Sequence, residues 1–182
     1  MKALVVYYSR NEAMRATAHA VAAKLDADVD AVLDCLEPDG FLGWRRCPVG
    51  AGRRLVRIDL AARELGLYEI VVVGTPVRDT SIATPITDFL AEEGRTARAL
   101  AFFCMTPNVR GARALGAMAR AARRAPIASL AVTQTDVEHG LLPDHARDFA
   151  TNLRDALAQV ARASATRAPL PGADWPAIAA RR

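Results

Sequence analysis

The sequence predicts an α/β fold, a single domain on a five-stranded parallel sheet of order 2-1-3-4-5 with helices on both faces. Three observations lead there. Short apolar runs alternate with segments of helical periodicity, the pattern of a parallel sheet covered by helices. Four of the runs are apolar at successive positions, as strands buried on both faces must be. A fifth, "DVDAVLD" (28–34), alternates polar and apolar residues and belongs at an edge, which places the second strand outside the first. The 182 residues allow one well-buried core and are too few for two ordinary domains.

The elements follow in order. "ALVVYY" (3–8) is the first strand; no small-residue cleavage site follows it, so it does not read as a signal peptide. Met14, Ala18, Val21, Ala22 and Leu25 repeat at helical spacing and define the first helix. After the edge strand comes a long Gly- and Arg-rich connection, 36–66. "IVVV" (70–73) is the third strand, and Thr84-Pro85 offers an N-cap followed by proline for a helix running through Phe89 and Leu90. "ALAFF" (99–103) and "IASLAV" (127–132) are the fourth and fifth strands. Leu115, Met118, Ala119 and Ala122 mark the helix between them, and Phe149, Leu153, Leu157 and Val160 the last one. The domain is expected over 1–162, with an Ala/Pro/Arg-rich tail over 163–182.

Hydrophobic residues make up 52% and charged residues 24% of the chain, a globular composition. No apolar run approaches the ~20 residues of a membrane span. Cys35, Cys47 and Cys104 are odd in number and lack metal-ligand spacing, so neither a disulfide framework nor a metal site is expected and a cytoplasmic location is the default. The net charge of +4 comes from dispersed arginines, with only Lys2 and Lys24 as lysines. Pairs at Arg45–Arg46, Arg53–Arg54 and Arg123–Arg124 form no stripe and have no interleaved aromatics, so no nucleic-acid partner is expected. His19, His139 and His145 lack partners at metal spacing.

"YEIVVVGTPVRDTSIATPITDFL" (68–90) resembles the third strand, ring-binding loop and following helix of the flavodoxin family. "KALVVYYSR" is similar to its first strand, "GFLGW" (40–44) to a connecting segment of some members, "ALAFFCMTPNVRGARALGAMAR" (99–120) to its fourth strand and second flavin loop, and "LAVTQTDVEHG" to its fifth. The likeness spans most of residues 2–160. Receiver domains are set aside because Tyr8-Ser9 and Gly74-Thr75 stand where they carry acids. Dinucleotide-binding domains are set aside because no G-x-G-x-x-G follows the first strand.

The resemblance implies an FMN-binding oxidoreductase or electron-transfer protein. Arg78 in its ring loop carries a permanent charge that favours the anionic reduced flavin unless Asp79 beside it blunts the effect, so two-electron, quinone-reductase-like chemistry is expected. Its redox partner or small-molecule acceptor is not named by the sequence. The implied cofactor contacts are Ser9, Arg10, Asn11, Glu12, Ala13 and Met14 after the first strand, and Thr75, Pro76, Val77 and Arg78 after the third. Thr106, Pro107, Asn108 and Gly111 follow the fourth. Gly74 would allow close backbone approach and Pro76 would stiffen the turn. Arg78 stands where many relatives stack an aromatic residue.

The first of these loops departs from the family's hydroxyl- and glycine-rich phosphate pattern. Ser9-x-x-Glu12 is itself a capping-box sequence, which would fill the helix-start amides with the chain's own side chains. A carboxylate about 4 Å from a phosphate charge also repels by roughly 4 kcal/mol at an effective dielectric near ~20. Arg15 can pair with Glu12, and Arg10 can contact a phosphate. FMN is therefore expected to be held weakly or lost, and a scaffold that has lost FMN and serves as a non-redox interaction module stays open beside the flavoprotein reading. Cys104 reads as a buried small hydrophobe, and Phe41, Leu42 and Trp44 as cover over the sheet edge.

Overall fold

A computed structural model describes residues 1–34, 56–58, 65–78, 81–107 and 111–166. The strands are β1 (Ala3–Tyr7), β2 (Asp28–Asp34), β3 (Val56–Ile58), β4 (Ile70–Arg78), β5 (Ser81–Ile82), β6 (Leu100–Thr106) and β7 (Ser129–Thr133). The helices are α1 (Glu12–Leu25), α2 (Thr84–Glu92), α3 (Gly111–Ala122), α4 (Gln134–Glu138) and α5 (Leu142–Thr166). Cys35, Phe41, Leu42, Trp44, Cys47, Asp79, Asn108, Val109, Arg110 and the chain from 167 lie outside the described residues, as does most of the 36–66 connection. No described helix is long and apolar enough to cross a membrane.

The five expected strands pair in parallel in the order β2-β1-β4-β6-β7, the arrangement predicted from the sequence. Two short antiparallel strands extend it. β3 pairs with the end of β2 over Val32–Asp34, so β2 is outermost only along its first half. β5 folds back onto β4, pairing Val77 with Ile82 and Arg78 with Ser81.

Period-two alternation sends each strand's side chains to two cores. Val5, Tyr7, Ile70, Val72, Ala101 and Phe103 pack under α1 and α5, with Met14, Val21, Phe149 and Leu153. Leu4, Val6, Val71, Val73, Leu100 and Phe102 pack under α2 and α3, with Ile86, Phe89, Leu90 and Met118. All five apolar positions expected on α1 are buried.

Other expectations are corrected. The expected fifth strand starts later, at Ser129, and although it takes the edge position that the expected order gives it, it is not buried on both faces: only Val132 is buried. The fourth runs on to Thr106, taking Cys104 and Met105 into the core. α5 continues through Thr166.

The Gly74–Arg78 segment is not a loop but the second half of β4. Gly74 is paired with Phe103 across the ladder, and a Cβ on Gly74 would lie 2.1 Å from the Phe103 ring. The close approach that requires glycine is therefore made to the core, not to a ligand. Gly111 is similar: a Cβ there would lie 2.4 Å from that of Ala131.

Both helix starts near the sheet's carboxyl edge also differ from expectation. The Ser9–Glu12 box does not form. Asn11 is the N-cap of α1, extended at φ −140 and ψ 160, and its Oδ1 accepts the Met14 N–H at 2.9 Å. Ser9 builds the turn before the cap, its hydroxyl accepting the Asn11 N–H at 3.2 Å and donating to the Asn11 carbonyl at 2.6 Å. Glu12 becomes the first helical residue, and its 80% exposed carboxylate stands 3.5 Å from Arg15. The cap falls late because the sheet still holds Tyr8, whose N–H donates to the Gly74 carbonyl at 3.2 Å. On α2 the N-cap is Ala83, not Thr84, and no side chain caps the helix.

The capping box forms elsewhere, at α4. Thr133 N–H donates to Asp136 Oδ2 at 2.8 Å, and Asp136 N–H donates to Thr133 Oγ1 at 3.1 Å. These bonds from Thr133, with His145 Nε2 at 3.8 Å, hold the Asp136 carboxyl below its ordinary pKa.

Three outcomes follow from this packing. Gly74→Ala should destabilise the fold by about 1–3 kcal/mol through overpacking, with partial recovery when Phe103→Leu is added, as read from urea midpoints. Asn11→Ala should cost about 1 kcal/mol, whereas Glu12→Ala, which breaks only an exposed ion pair, should stay within about 0.5 kcal/mol. Because the folded pKa of Asp136 is depressed, its contribution is present above the unfolded carboxylate value and is lost as pH falls through the folded one. Asp136→Asn should accordingly flatten the acid limb of the stability profile.

Candidate functional site

A cavity of about 330 Å³ opens beyond the carboxyl ends of β1 and β4. The β1–α1 turn forms one wall with Tyr8, Arg10 and Asn11. The β4–β5 hairpin forms the other with Pro76, Val77, Arg78, Ser81 and Ile82, and the start of α2 closes a third side with Ala83, Thr84 and Pro85. Such a crevice at strand carboxyl ends is where open parallel sheets collect ligands.

Local chemistry shapes each wall. Pro76 is paired within the β4–β6 ladder, and the chain then reverses so that Arg78 faces Ser81. Thr75 is fully buried beneath the hairpin, where its hydroxyl accepts the Ala83 N–H at 3.2 Å and donates to the Pro76 carbonyl at 3.1 Å. That hydroxyl joins the hairpin to the start of α2. On the opposite wall, Arg10 Nε donates to the Tyr8 hydroxyl at 2.6 Å, with the guanidinium carbon 5.9 Å from the ring centroid.

The residues expected at the site divide sharply. Arg10, Asn11, Pro76, Val77 and Arg78 line the cavity together. Ser9 and Thr75 support its walls from behind. Glu12 turns away toward Arg15, so the repulsion expected from its carboxylate is not directed at the cavity. Ala13 packs against the core and accepts the Thr17 hydroxyl at 2.9 Å. The Met14 side chain is fully buried. Thr106, Pro107 and Gly111 do not line the cavity: Thr106 ends β6 in the interior, and Gly111 packs α3 on β7.

Sequence reasoning missed Tyr8, Ser81, Ile82, Ala83, Thr84 and Pro85. Tyr8 carried a signal, a polar-tipped aromatic as the last residue of an apolar strand run, where one end can be buried and the other can reach the ligand side. The hairpin residues carried none, since their place depends on β4 continuing past Gly74.

Arg10 and Arg78 bring permanent positive charge to opposite walls, and none of the described lining residues is acidic. A concave wall focuses that charge and favours an anionic ligand. Cys104 takes no part: it is fully buried, and burial pushes its thiol up to about 12, so it is a protonated core side chain at neutral pH.

No protein-family model and no curated protein matches this chain. Solved structures do. A flavoprotein from Lactobacillus acidophilus NCFM, determined in complex with FMN, superposes with a TM-score of 0.58 at 16% identity, covering 76% of this chain and 97% of that one. The flavodoxin, WrbA-like protein from Agrobacterium tumefaciens superposes with a TM-score of 0.54 at 18% identity, covering 89% and 98%. An NADH:FMN oxidoreductase in its apo form gives 0.54 at 14% identity, covering 87% and 90%. At these identities the likeness concerns the backbone, and together with the strand order it establishes that this chain has a flavodoxin-like fold.

Proposed function

We propose that the protein binds FMN in the cavity beyond β1 and β4 and acts as a flavin-dependent redox protein. One observation carries this reading. The crevice at the sheet's carboxyl edge is walled by Arg10 and Arg78 with no acidic residue among its described lining, which suits a ligand with an anionic end. The apolar faces of Val77 and Ile82 and the rigid Pro76 and Pro85 suit a planar ring. The residues present therefore fit FMN.

Arg10 and Asn11, which line the cavity, would hold the phosphate end, with Ser9 holding their turn. Pro76, Val77 and Arg78 would meet the ring end, on a wall held by Thr75. Thr106, at the end of β6, belongs to the same edge of the sheet. Bound FMN supplies electron transfer, which no side chain here performs. Arg78 sets a permanent positive charge at the ring end and favours any ligand state carrying added negative charge, so reduction in two-electron steps is the expected behaviour.

The test is the visible spectrum of the purified protein, followed by FMN titration and stepwise reduction. A flavin spectrum with bound-state shifts, passing to the fully reduced form in a single transition, is the expected result. A further stable band midway, unchanged by Arg78→Ala, would remove the role given to Arg78. A protein that neither carries nor takes up flavin would favour the reading of an interaction module on the same scaffold.

A further inference from the structure

We infer that the α4–α5 corner is a pH-operated latch, closed when His145 is protonated and pairs with Asp136, and loosened when the imidazole is neutral. The inference is independent of the flavin reading.

Asp136 faces the corner with both carboxylate oxygens. Oδ2 accepts the Thr133 N–H at 2.8 Å and so ties α4 to the end of β7. Oδ1 stands 3.8 Å from His145 Nε2, in the first turn of α5. The backbone adds one bond, from Leu141 N–H to the Asp136 carbonyl at 2.9 Å. α4 needs such ties. It is five residues long and buries none of them fully; Val137 reaches the core only partly buried.

His145 Nε2 is unsatisfied. Among the described residues it is the one buried side-chain nitrogen or oxygen with no hydrogen-bond partner. A neutral imidazole has one N–H and one bare nitrogen. A bare Nε2 turns its lone pair toward a carboxylate, and a neutral N–H at 3.8 Å is too far for a hydrogen bond. The protonated ring always carries an N–H at Nε2, and its charge draws the carboxylate in. Asp136 is ready for it, because the Thr133 bonds, and after them His145, hold its carboxyl below the ordinary value. It is therefore ionised where an imidazole ordinarily changes charge, near ~6.5. The tie is complete only with Asp136 ionised and His145 protonated. It is lost as pH rises through the imidazole range, and again as pH falls through the depressed Asp136 value.

The other charged groups of the packed elements do not supply this switch. On α4, Glu138 accepts from Gln134 Nε2 at 3.2 Å, and His139 ends the helix. On α5, Asp144 pairs with Arg147 at 2.7 Å, while Asp148 is exposed three residues beyond His145. The amino end of α5 disfavours a cation in its first turn, and Asp148 offsets that. On α1, packed beside α5, Glu12 pairs with Arg15, and His19 lies edge-on to Tyr7. β7 carries no charged residue, and on α3, packed against it, Arg113 and Arg120 are exposed and do not titrate. His139 is the neighbour that titrates in the same range, and it serves as the control.

Amide hydrogen exchange of the full chain, corrected for the intrinsic pH dependence of exchange, reads the latch. In the wild type, protection of the Thr133, Asp136 and Leu141 amides should fall about 2- to 5-fold between about pH 5.5 and about pH 8. That is the range for an ion pair whose side chains are 37% and 26% exposed. Amides of β1 and β4 should keep their protection. His145→Gln, which stays polar but takes no charge, should remove the step and hold the corner at its high-pH protection. His139→Gln should leave the step unchanged. Salt at about 1 M should shrink it.

A wild type with no step overturns the inference. So does a step that survives His145→Gln, or one that vanishes in His139→Gln. Should His145→Gln fail to fold, the remaining arms decide. A step that persists in His139→Gln and shrinks in salt sustains the latch; a step that salt leaves untouched overturns it.

Discussion

In the middle of the sheet, the Phe103 ring fills the volume that a side chain on Gly74 would need, 2.1 Å from where its Cβ would stand. The two residues face each other across the β4–β6 ladder, on the side covered by α1 and α5. The missing side chain lets a large ring fill the core where β4 passes from its fully buried half to its cavity-facing half. Everything at the carboxyl edge depends on that passage. Because β4 stays in register past Gly74, it carries Thr75 into the interior and Val77 and Arg78 to the cavity wall before the chain reverses at Ser81.

The same strand organises the opposite wall. The Gly74 carbonyl accepts from Tyr8 N–H, which extends β1's attachment one residue beyond the strand and sets the tyrosine under the cavity. The helix start is displaced to Glu12 as a consequence, and the cap passes from Ser9 to Asn11. Serine and asparagine are both competent caps. The choice between them was made by where the strand releases the chain, not by the residues' own preferences.

The displacement of two residues changes the electrostatics of the site. At the third helical position, Glu12 would reach back toward the loop; at the first, it is exposed and pairs with Arg15. The cavity is left with arginines on both walls, and with a turn in which the Ser9 hydroxyl and the Asn11 Oδ1 are already hydrogen-bonded. A glycine-poor loop is therefore not an acidic one. The charge it brings to the cavity wall is that of the Arg10 side chain.

Hydrophobic periodicity made the architecture legible. Alternating strand and helix patterns required a parallel sheet, the polar second strand required the order of its neighbours, and the α1 stripe from Met14 to Leu25 is buried throughout. These are properties of single segments, and a segment carries its own period. What the sequence could not display were the facts that join two segments. The apolar run at 127–132 looked buried on both faces, yet β7 buries only Val132, because composition does not report what packs alongside a strand. Gly74 looked like a ligand contact because glycine marks any close approach, and only the register with Phe103 says what approaches. Tyr8, Arg10 and Arg78 become one site only when β1 and β4 are paired, since residues about seventy apart in the chain share no local signal. Local chemistry determined which elements form; the register between strands decided where each helix begins and which side chains meet at the sheet's edge.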